Sequence, residues 1–193
     1  MRLWYARRGV TWTPLLACCA LAVGAALVGH RWPASLAVLL PAALAGCAAG
    51  AGFVFDEAAT QVVSVTPRGA GWRRTTRLAV VVVPLAVWLV VVATLPRTVV
   101  PDRSGWVTVG VACLLLSAGA SGLCARRAVS APGSTVAAGV AGLVLMPLVV
   151  GPLVGWEPVL PLGEFSSGLT AFWSAAIALG TLLASWGPRP GLR

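Results

Sequence analysis

The side chains that could do chemistry are few in this chain, and they lie at the ends of its apolar segments or between them. The 193 residues include five acids, fourteen arginines and one histidine. Ionisable side chains near the middle of membrane-spanning segments mark proton relays and ion-coupled transport. No acid or arginine lies near the middle of any apolar run. The sequence therefore disfavours an antiporter driven by protons or sodium.

Catalytic, cofactor and metal motifs are also missing from the sequence. Haem in a helix bundle normally needs paired axial ligands, whereas the single His30 lies at the end of a run and is interpreted as interfacial. No Walker phosphate loop is visible, and no Ser/His pair, aspartate pair or zinc motif lies within the runs. We predict that the chain is not an enzyme, binds no cofactor or metal, and leaves any ATP to a partner subunit.

The cysteines show no spacing that would indicate a site. Their odd number argues against a disulfide framework, and they lie inside or at the ends of apolar runs. We interpret them as small apolar helix residues. They are Cys18, Cys19, Cys47, Cys113 and Cys124.

Composition predicts an all-α, polytopic membrane protein. Hydrophobic residues make up 59% of the chain and charged residues 10%, whereas a soluble domain carries roughly 25% charged residues. Six runs each approach the roughly 20 apolar residues that cross a bilayer. They are Pro14–Gly29, Pro33–Phe53, Leu78–Leu95, Gly105–Cys124, Ser134–Val154 and Gly168–Trp186.

Two further patterns within the runs concern their packing. Pro41, Pro84 and Pro147 predict kinks, which neighbouring helices can accommodate. Gly46–Gly50 and Gly139–Gly142 are small-residue segments that let helices approach closely. We expect such faces to serve internal packing more often than dimerisation.

The arginines predict the orientation of the chain. With the N-terminus inside, eleven arginines fall in inner segments and three in outer segments, the bias expected of cytoplasmic loops. The inner ones are Arg2, Arg7, Arg8, Arg68, Arg73, Arg74, Arg77, Arg126, Arg127, Arg189 and Arg193, and the outer ones are Arg31, Arg97 and Arg103. We predict six transmembrane helices with both termini cytoplasmic, in the cell (inner or plasma) membrane. The net charge of +9 then indicates contact with membrane lipids rather than nucleic acid.

This topology divides the chain into three parts. Residues 1–13 are a basic cytoplasmic arm, 14–186 the six-helix domain and 187–193 a cytoplasmic tail. The arm could also begin a signal peptide, but the run after it is long and lacks a convincing cleavage site, which favours an uncleaved first helix. The outer segment 155–167 is apolar enough to contain short interfacial or re-entrant pieces.

The one substantial polar segment is loop 56–77. From Phe55 to Val65 an apolar face with helical spacing alternates with a polar face that includes Asp56 and Glu57, which predicts an amphipathic helix. Pro67, Gly69 and Gly71 are expected to end it, and arginines lead into the third run. Acids at the N-terminal end of such a helix are favoured by its dipole.

Six helices, cytoplasmic termini and this loop resemble the permease subunits of ABC type-2 transporters. In that family the first cytoplasmic loop carries a coupling helix that packs into a groove of the ATPase subunit. The matching positions are Glu57, the apolar core 62–65, Thr66-Pro67 and the basic stretch from Arg73. The resemblance implies partner-binding residues at Asp56, Glu57, Gln61, Val62, Val65, Thr66, Pro67, Arg73 and Arg74.

The resemblance also implies the function. The chain would be the permease subunit of an ATP-driven exporter for a hydrophobic or amphiphilic substrate, paired with a separate ABC ATPase and with a second copy or related permease. The chain is shorter than a usual permease, and its N-terminal segment is too brief for a long interfacial helix. This leaves open a non-transporting membrane scaffold or accessory subunit, an integral enzyme acting on lipids, and an interfacial helix resting on the bilayer at Val62 and Val65.

Overall fold

The computed structural model of the protein describes residues 7–56, 70–126, 132–154, 159–161 and 163–185, without the side chains at 70, 71, 73, 126 and 152. Over this part of the chain the structure is helical, with no strand. We number the helices α1 (Trp12–Arg31), α2 (Leu36–Gly52), α3 (Ala70–Val80), α4 (Val82–Thr94), α5 (Arg103–Arg126), α6 (Pro132–Val154) and α7 (Ser167–Ser185).

Within the described residues, six helical segments are long and apolar enough to cross a membrane, as the sequence predicted. They are Trp12–Arg31, Pro33–Phe55, Arg74–Thr94, Arg103–Ala125, Pro132–Gly151 and Ser167–Ser185. The third span joins α3 to α4, and the second includes the 3-10 turns at Pro33–Ser35 and Phe53–Phe55 that flank α2. The chain is therefore a multi-pass membrane protein.

Proline has different consequences in different spans. Pro84 follows the turn at Val81 that separates α3 from α4. Proline lacks an N–H group and its ring crowds the carbonyl four residues earlier, here that of Val80. At the turn itself, the Val81 N–H bonds to the carbonyl of Leu78, three residues earlier, at 3.1 Å. Pro41 and Pro147 lie within the continuous helices α2 and α6.

Helix α2 is the centre of the bundle and packs on α1, α4, α5 and α6. Its Gly46 and Gly50 face α1 so closely that a Cβ on Gly46 would lie 3.1 Å from the Cys18 carbonyl oxygen. The expectation of internal packing is confirmed for this pair. Gly139 and Gly142 of α6 differ, because a Cβ on either would meet no atom of the described part of the chain within 4 Å.

Helices α5 and α7 run parallel to each other and make an extensive interface. A Cβ on Gly180 would come within 2.9 Å of the backbone carbon of Leu115 and the backbone nitrogen of Leu116. A Cβ on Gly119 would in turn lie 2.8 Å from the Cβ of Leu183. The two helices therefore touch through reciprocal glycines, whose missing side chains let the backbones approach.

The spans alternate in direction and define two ends of the bundle. At the loop end α2 finishes, α3 and α6 begin and α7 finishes. At the far end α4 finishes and α5 and α7 begin. Near the far end, residues 159–161 and 163–166 form bends without a helix. Residues 155–158 and 162, which complete the predicted outer segment, lie outside the described residues.

Candidate functional site

The entry to the polar loop differs from the sequence prediction. Phe55 completes the 3-10 turn that ends α2, and Asp56 is extended, with φ −69° and ψ 126°. A helix that begins at Phe55 is therefore wrong at its first two residues. The rest of the predicted helix lies outside the described residues. So do the predicted partner-binding residues Glu57, Gln61, Val62, Val65, Thr66 and Pro67.

The exit from the loop also differs. The third run was predicted to begin at Leu78, with Pro67, Gly69 and Gly71 ending the loop helix before it and the arginines leading into it. Helix α3 instead begins at Ala70, so Gly71, Arg73, Arg74 and Arg77 are helical. Arginine is a good helix former, and the described side chains of Arg74 and Arg77 bond to backbone carbonyls at neighbouring helix ends.

The carboxylate of Asp56 bonds to the beginning of α6. Its Oδ1 accepts the backbone N–H of Gly133 at 2.6 Å, one of the first N–H groups of a helix, which have no partner within the helix. Burial raises the pKa of Asp56, and the Gly133 bond and the charge of Arg77 oppose that shift. The negative charge complements the positive end of the α6 dipole.

Arg77 joins the two sides of the loop. Its side chain is only 7% exposed, and its Nη1 donates to the backbone carbonyl of Phe55 at 3.1 Å. Phe55 ends the last turn before the loop, and Arg77 belongs to the first helix after it. The two segments that flank residues 57–69 are thus held side by side.

Arg74 bonds to the end of α7. Its Nη2 donates to the backbone carbonyl of Leu183 at 3.0 Å and also to that of Ala184. These carbonyls belong to the last turn of α7, where carbonyl groups have no partner within the helix. A cation at this position also complements the negative end of the helix dipole. Of the nine predicted partner-binding residues, Asp56 and Arg74 have described side chains, and both bond within the chain.

The described centre of the bundle contains little that could do chemistry. Ser117 and Ser121 are buried in α5, and their hydroxyls have no hydrogen-bond partner among the described residues. A Cβ on Gly52 of α2 would lie 3.2 and 3.5 Å from these hydroxyl oxygens. The serines therefore pack directly on the α2 backbone. Among the described residues, no three His, Cys, Asp or Glu side chains are grouped to hold a metal ion.

A second polar cluster, which the sequence analysis missed, lies at the far end. Asp102 caps α5 and accepts the hydroxyl of Ser104 at 2.6 Å and the backbone N–H of Gly105 at 2.9 Å. Its other oxygen accepts the N–H of Phe165 at 3.2 Å, which joins the start of α5 to the segment before α7. An Asp just before an apolar run is the usual signal for such a cap.

Aromatic side chains fill the space beneath this cap. Trp88 and Trp106 are both 0% exposed, and the Trp88 Nε1–H donates to the Trp106 carbonyl at 3.1 Å. The ring of Phe165 stands edge-on to that of Trp106, with centroids 6.0 Å apart. A Cβ on Gly105 would collide with Phe165, and one on Gly110 with Trp88. Glycine is therefore required at both positions to admit the rings.

The Asp102 cap predicts a pH-dependent contribution to stability. The Ser104 hydroxyl and then the Gly105 N–H lower the pKa of Asp102, so folding favours the ionised carboxylate. Its contribution is present above the unfolded pKa, about 3.9, and is lost as the pH falls through the lower folded pKa. We expect Asp102→Ala to cost about 1 kcal/mol at pH 7.

Thermal unfolding in a non-ionic detergent at pH 7 and at about pH 3 checks this prediction. The difference in the midpoint temperature of unfolding between the wild type and Asp102→Ala should be smaller at the lower pH. A difference of equal size at both pH values would contradict it.

Comparison with known proteins gives no relative from which a role could be transferred. No protein-family model matches the chain, and neither a curated protein nor a solved structure is significantly similar to it.

Proposed function

We propose that this chain is the membrane-spanning permease subunit of an ATP-driven ABC exporter, coupled to a separate ATPase through residues 57–69. The observation that carries the proposal is the bond between the Arg77 guanidinium and the Phe55 carbonyl. It closes the base of the loop, so that a partner gripping residues 57–69 would act on α2 and α3 together. A coupling element requires such a fixed base, because motion of the partner would otherwise be absorbed within the loop.

The proposed orientation places the loop end in the cytoplasm, where ATP is available. Eleven of the fourteen arginines then lie in inner segments, as the positive-inside rule requires. Both termini are cytoplasmic in this arrangement, and the cap at Asp102 faces outward. The membrane proposed is the cell membrane.

The proposed substrate path lies between this chain and a second copy or related permease. The interior of the single bundle is filled by fully buried side chains such as Leu44, Trp88 and Leu114, each at most 1% exposed, which leaves little room for a path within one chain. The faces that would border a path between subunits are apolar, with Leu143 and Leu153 of α6 strongly exposed. Such a surface suits a hydrophobic or amphiphilic substrate.

A second candidate function is a non-transporting scaffold or accessory subunit of a larger membrane complex. The same filled centre supports it, because a closely packed bundle with glycine-mediated contacts is also suited to a static anchor. A scaffold would hold a partner at the loop without responding to nucleotide.

Affinity purification of the tagged full-length protein from its native membranes in mild detergent, with identification of the proteins that accompany it, tests the proposal. We expect an ATPase with a Walker motif in stoichiometric amount. Val62→Glu should abolish its recovery, because a charge would occupy the apolar face of the predicted coupling helix. The matched control is Thr98→Glu, which adds the same charge at an exposed position of the far end.

The outcomes separate the candidates. Loss of the ATPase with Val62→Glu and its retention with Thr98→Glu would support the permease. Recovery of other membrane subunits without an ATPase would favour the scaffold. Recovery of the chain alone would contradict both and leave an integral membrane enzyme acting on lipids.

A further inference from the structure

We propose that Asp56 and Arg74 form two straps that make the loop-end tips of α6 and α7 move as one unit with the segments flanking the loop. The Asp56 strap joins the exit of α2 to the beginning of α6. The Arg74 strap joins α3 to the end of α7. As a route for motion from a partner, this inference rests on the proposed function, but the straps themselves can be tested without the ATPase.

Each strap connects parts of the chain that are far apart in sequence. Asp56 and Gly133 are 77 residues apart, and Arg74 and Ala184 are 110 residues apart. Hydrogen bonds to an ionised partner are about twice as strong as neutral ones. Burial strengthens them further, because water competes poorly for the same groups. Both straps therefore resist separation of the helix tips that they join.

The charges of the straps match the helix ends they hold. The carboxylate of Asp56 meets the N-terminus of α6, and the guanidinium of Arg74 meets the C-terminus of α7. Each charge therefore meets the helix-dipole end of opposite sign. A neutral side chain could make a hydrogen bond there but would lose this electrostatic part. Each strap is therefore matched to its helix end by charge as well as by hydrogen bonding.

Motion of α7 would be passed to α5 through the contacts between the two helices. Gly180 and Gly119 bring the α7 and α5 backbones into direct contact, and closely packed helices transmit displacement because they have no free volume in which to absorb it. At the other strap, α6 packs along α2. A displacement of α3 would therefore reach α7 and then α5, which carries the far-end cap at Asp102.

Hydrogen exchange of the full-length protein in lipid nanodiscs, read by mass spectrometry, tests the straps. Loss of a charge-assisted bond should raise exchange in the last turn of α7 roughly tenfold in Arg74→Gln. Arg74→Lys keeps the positive charge and N–H donors on a single nitrogen, so its exchange should stay nearer that of the wild type. The matched control is Arg103→Gln, because Arg103 donates to the Leu95 carbonyl at the opposite end. Arg103→Gln should raise hydrogen exchange at the far end and leave exchange at the loop-end tips of α6 and α7 unchanged.

Coupling of the two straps has its own readout. The amide of Gly133 is the donor to Asp56, and Arg74 donates to the last carbonyls of α7. If the tips move as one unit, Arg74→Gln should also raise exchange around Gly133, and Asp56→Asn should raise it at the end of α7. A rise confined to the helix end that each side chain touches would overturn the proposal, since the residues would then be independent caps. Unchanged exchange at α7 in Arg74→Gln would overturn it as well.

These results do not depend on which protein binds the loop. Straps that pass the exchange test in a chain that recovers no ATPase would leave this inference standing and remove the proposed function. An ATPase that is recovered while the exchange test fails would do the reverse.

Discussion

Gly180→Ala should destabilise the protein, although alanine is the better helix former. The added Cβ would lie 2.8–2.9 Å from the Cβ and backbone carbon of Leu115 and the backbone nitrogen of Leu116, contacts that folded proteins do not contain. Neither a backbone nor a Cβ can swing aside, so α7 must move away from α5. We expect a net cost of about 2 kcal/mol, after a gain in helix propensity of about 1 kcal/mol.

Gly139→Ala is the matched control for this prediction. It makes the same substitution within a helix, but its Cβ would meet nothing within 4 Å. It should be neutral or stabilising by up to about 1 kcal/mol. Unfolding of both variants in mixed micelles of mild detergent and sodium dodecyl sulfate measures the difference. Shifts of the same sign and size would show that the α5–α7 contact is not the tight one described.

The six spans could be predicted from the sequence because an apolar run of sufficient length has few alternatives to crossing a bilayer. The N-terminal boundary of the third span could not be predicted in this way. The run was predicted to begin at Leu78, where the near-continuous apolar stretch starts. In the structure Arg74 and Arg77 bond to backbone carbonyls of α7 and of the α2 exit, which offsets the cost of placing their charges beside an apolar span. Those acceptors are remote in sequence, so no local pattern could indicate them.

The glycine pairs show the same limit. Gly46 and Gly50 resemble Gly139 and Gly142 as small residues spaced along one side of a helix. One pair packs against α1, whereas a Cβ on either residue of the other pair would meet no atom of the described residues within 4 Å. Spacing indicates which residues share a face, but the partner of that face depends on how the helices assemble. The close backbone contact at Gly180 was not predicted, although the buried residues Ala176, Gly180 and Ala184 have the same four-residue spacing of small side chains.

The candidate site was located by its polarity, but the roles of its residues were not. Asp56 and Arg74 were assigned to a partner because the polar loop resembles the coupling loop of ABC type-2 permeases. In the structure their polar atoms bond to ends of α6 and α7. Helix ends next to a membrane have carbonyl and N–H groups that need partners, so charged residues beside them can be satisfied within the chain. Partner binding by the loop itself remains a prediction for residues 57–69.

Trp88→Ala should have the largest effect of any single truncation at the far end. The indole is fully buried, lies 6.2 Å from the ring of Trp106 between centroids, and donates to the Trp106 carbonyl. Removing the indole creates a cavity against α5, where Gly110 has no side chain to fill the space. The cost should be about 3–5 kcal/mol. Trp88→Phe keeps much of the ring volume but loses the hydrogen bond. It should therefore cost less than Trp88→Ala, by roughly the free energy of the cavity that it does not create.

Trp32→Ala separates this cavity effect from the removal of any tryptophan, because Trp32 is 61% exposed and its truncation leaves no enclosed void. It should cost less than about 1 kcal/mol. Unfolding in the same mixed micelles orders the three variants, and Trp88→Ala should stand well apart from the other two. A Trp88→Ala protein as stable as Trp32→Ala would mean that the far end can collapse onto the void. In that case the aromatic cluster would not be what holds α4 against α5.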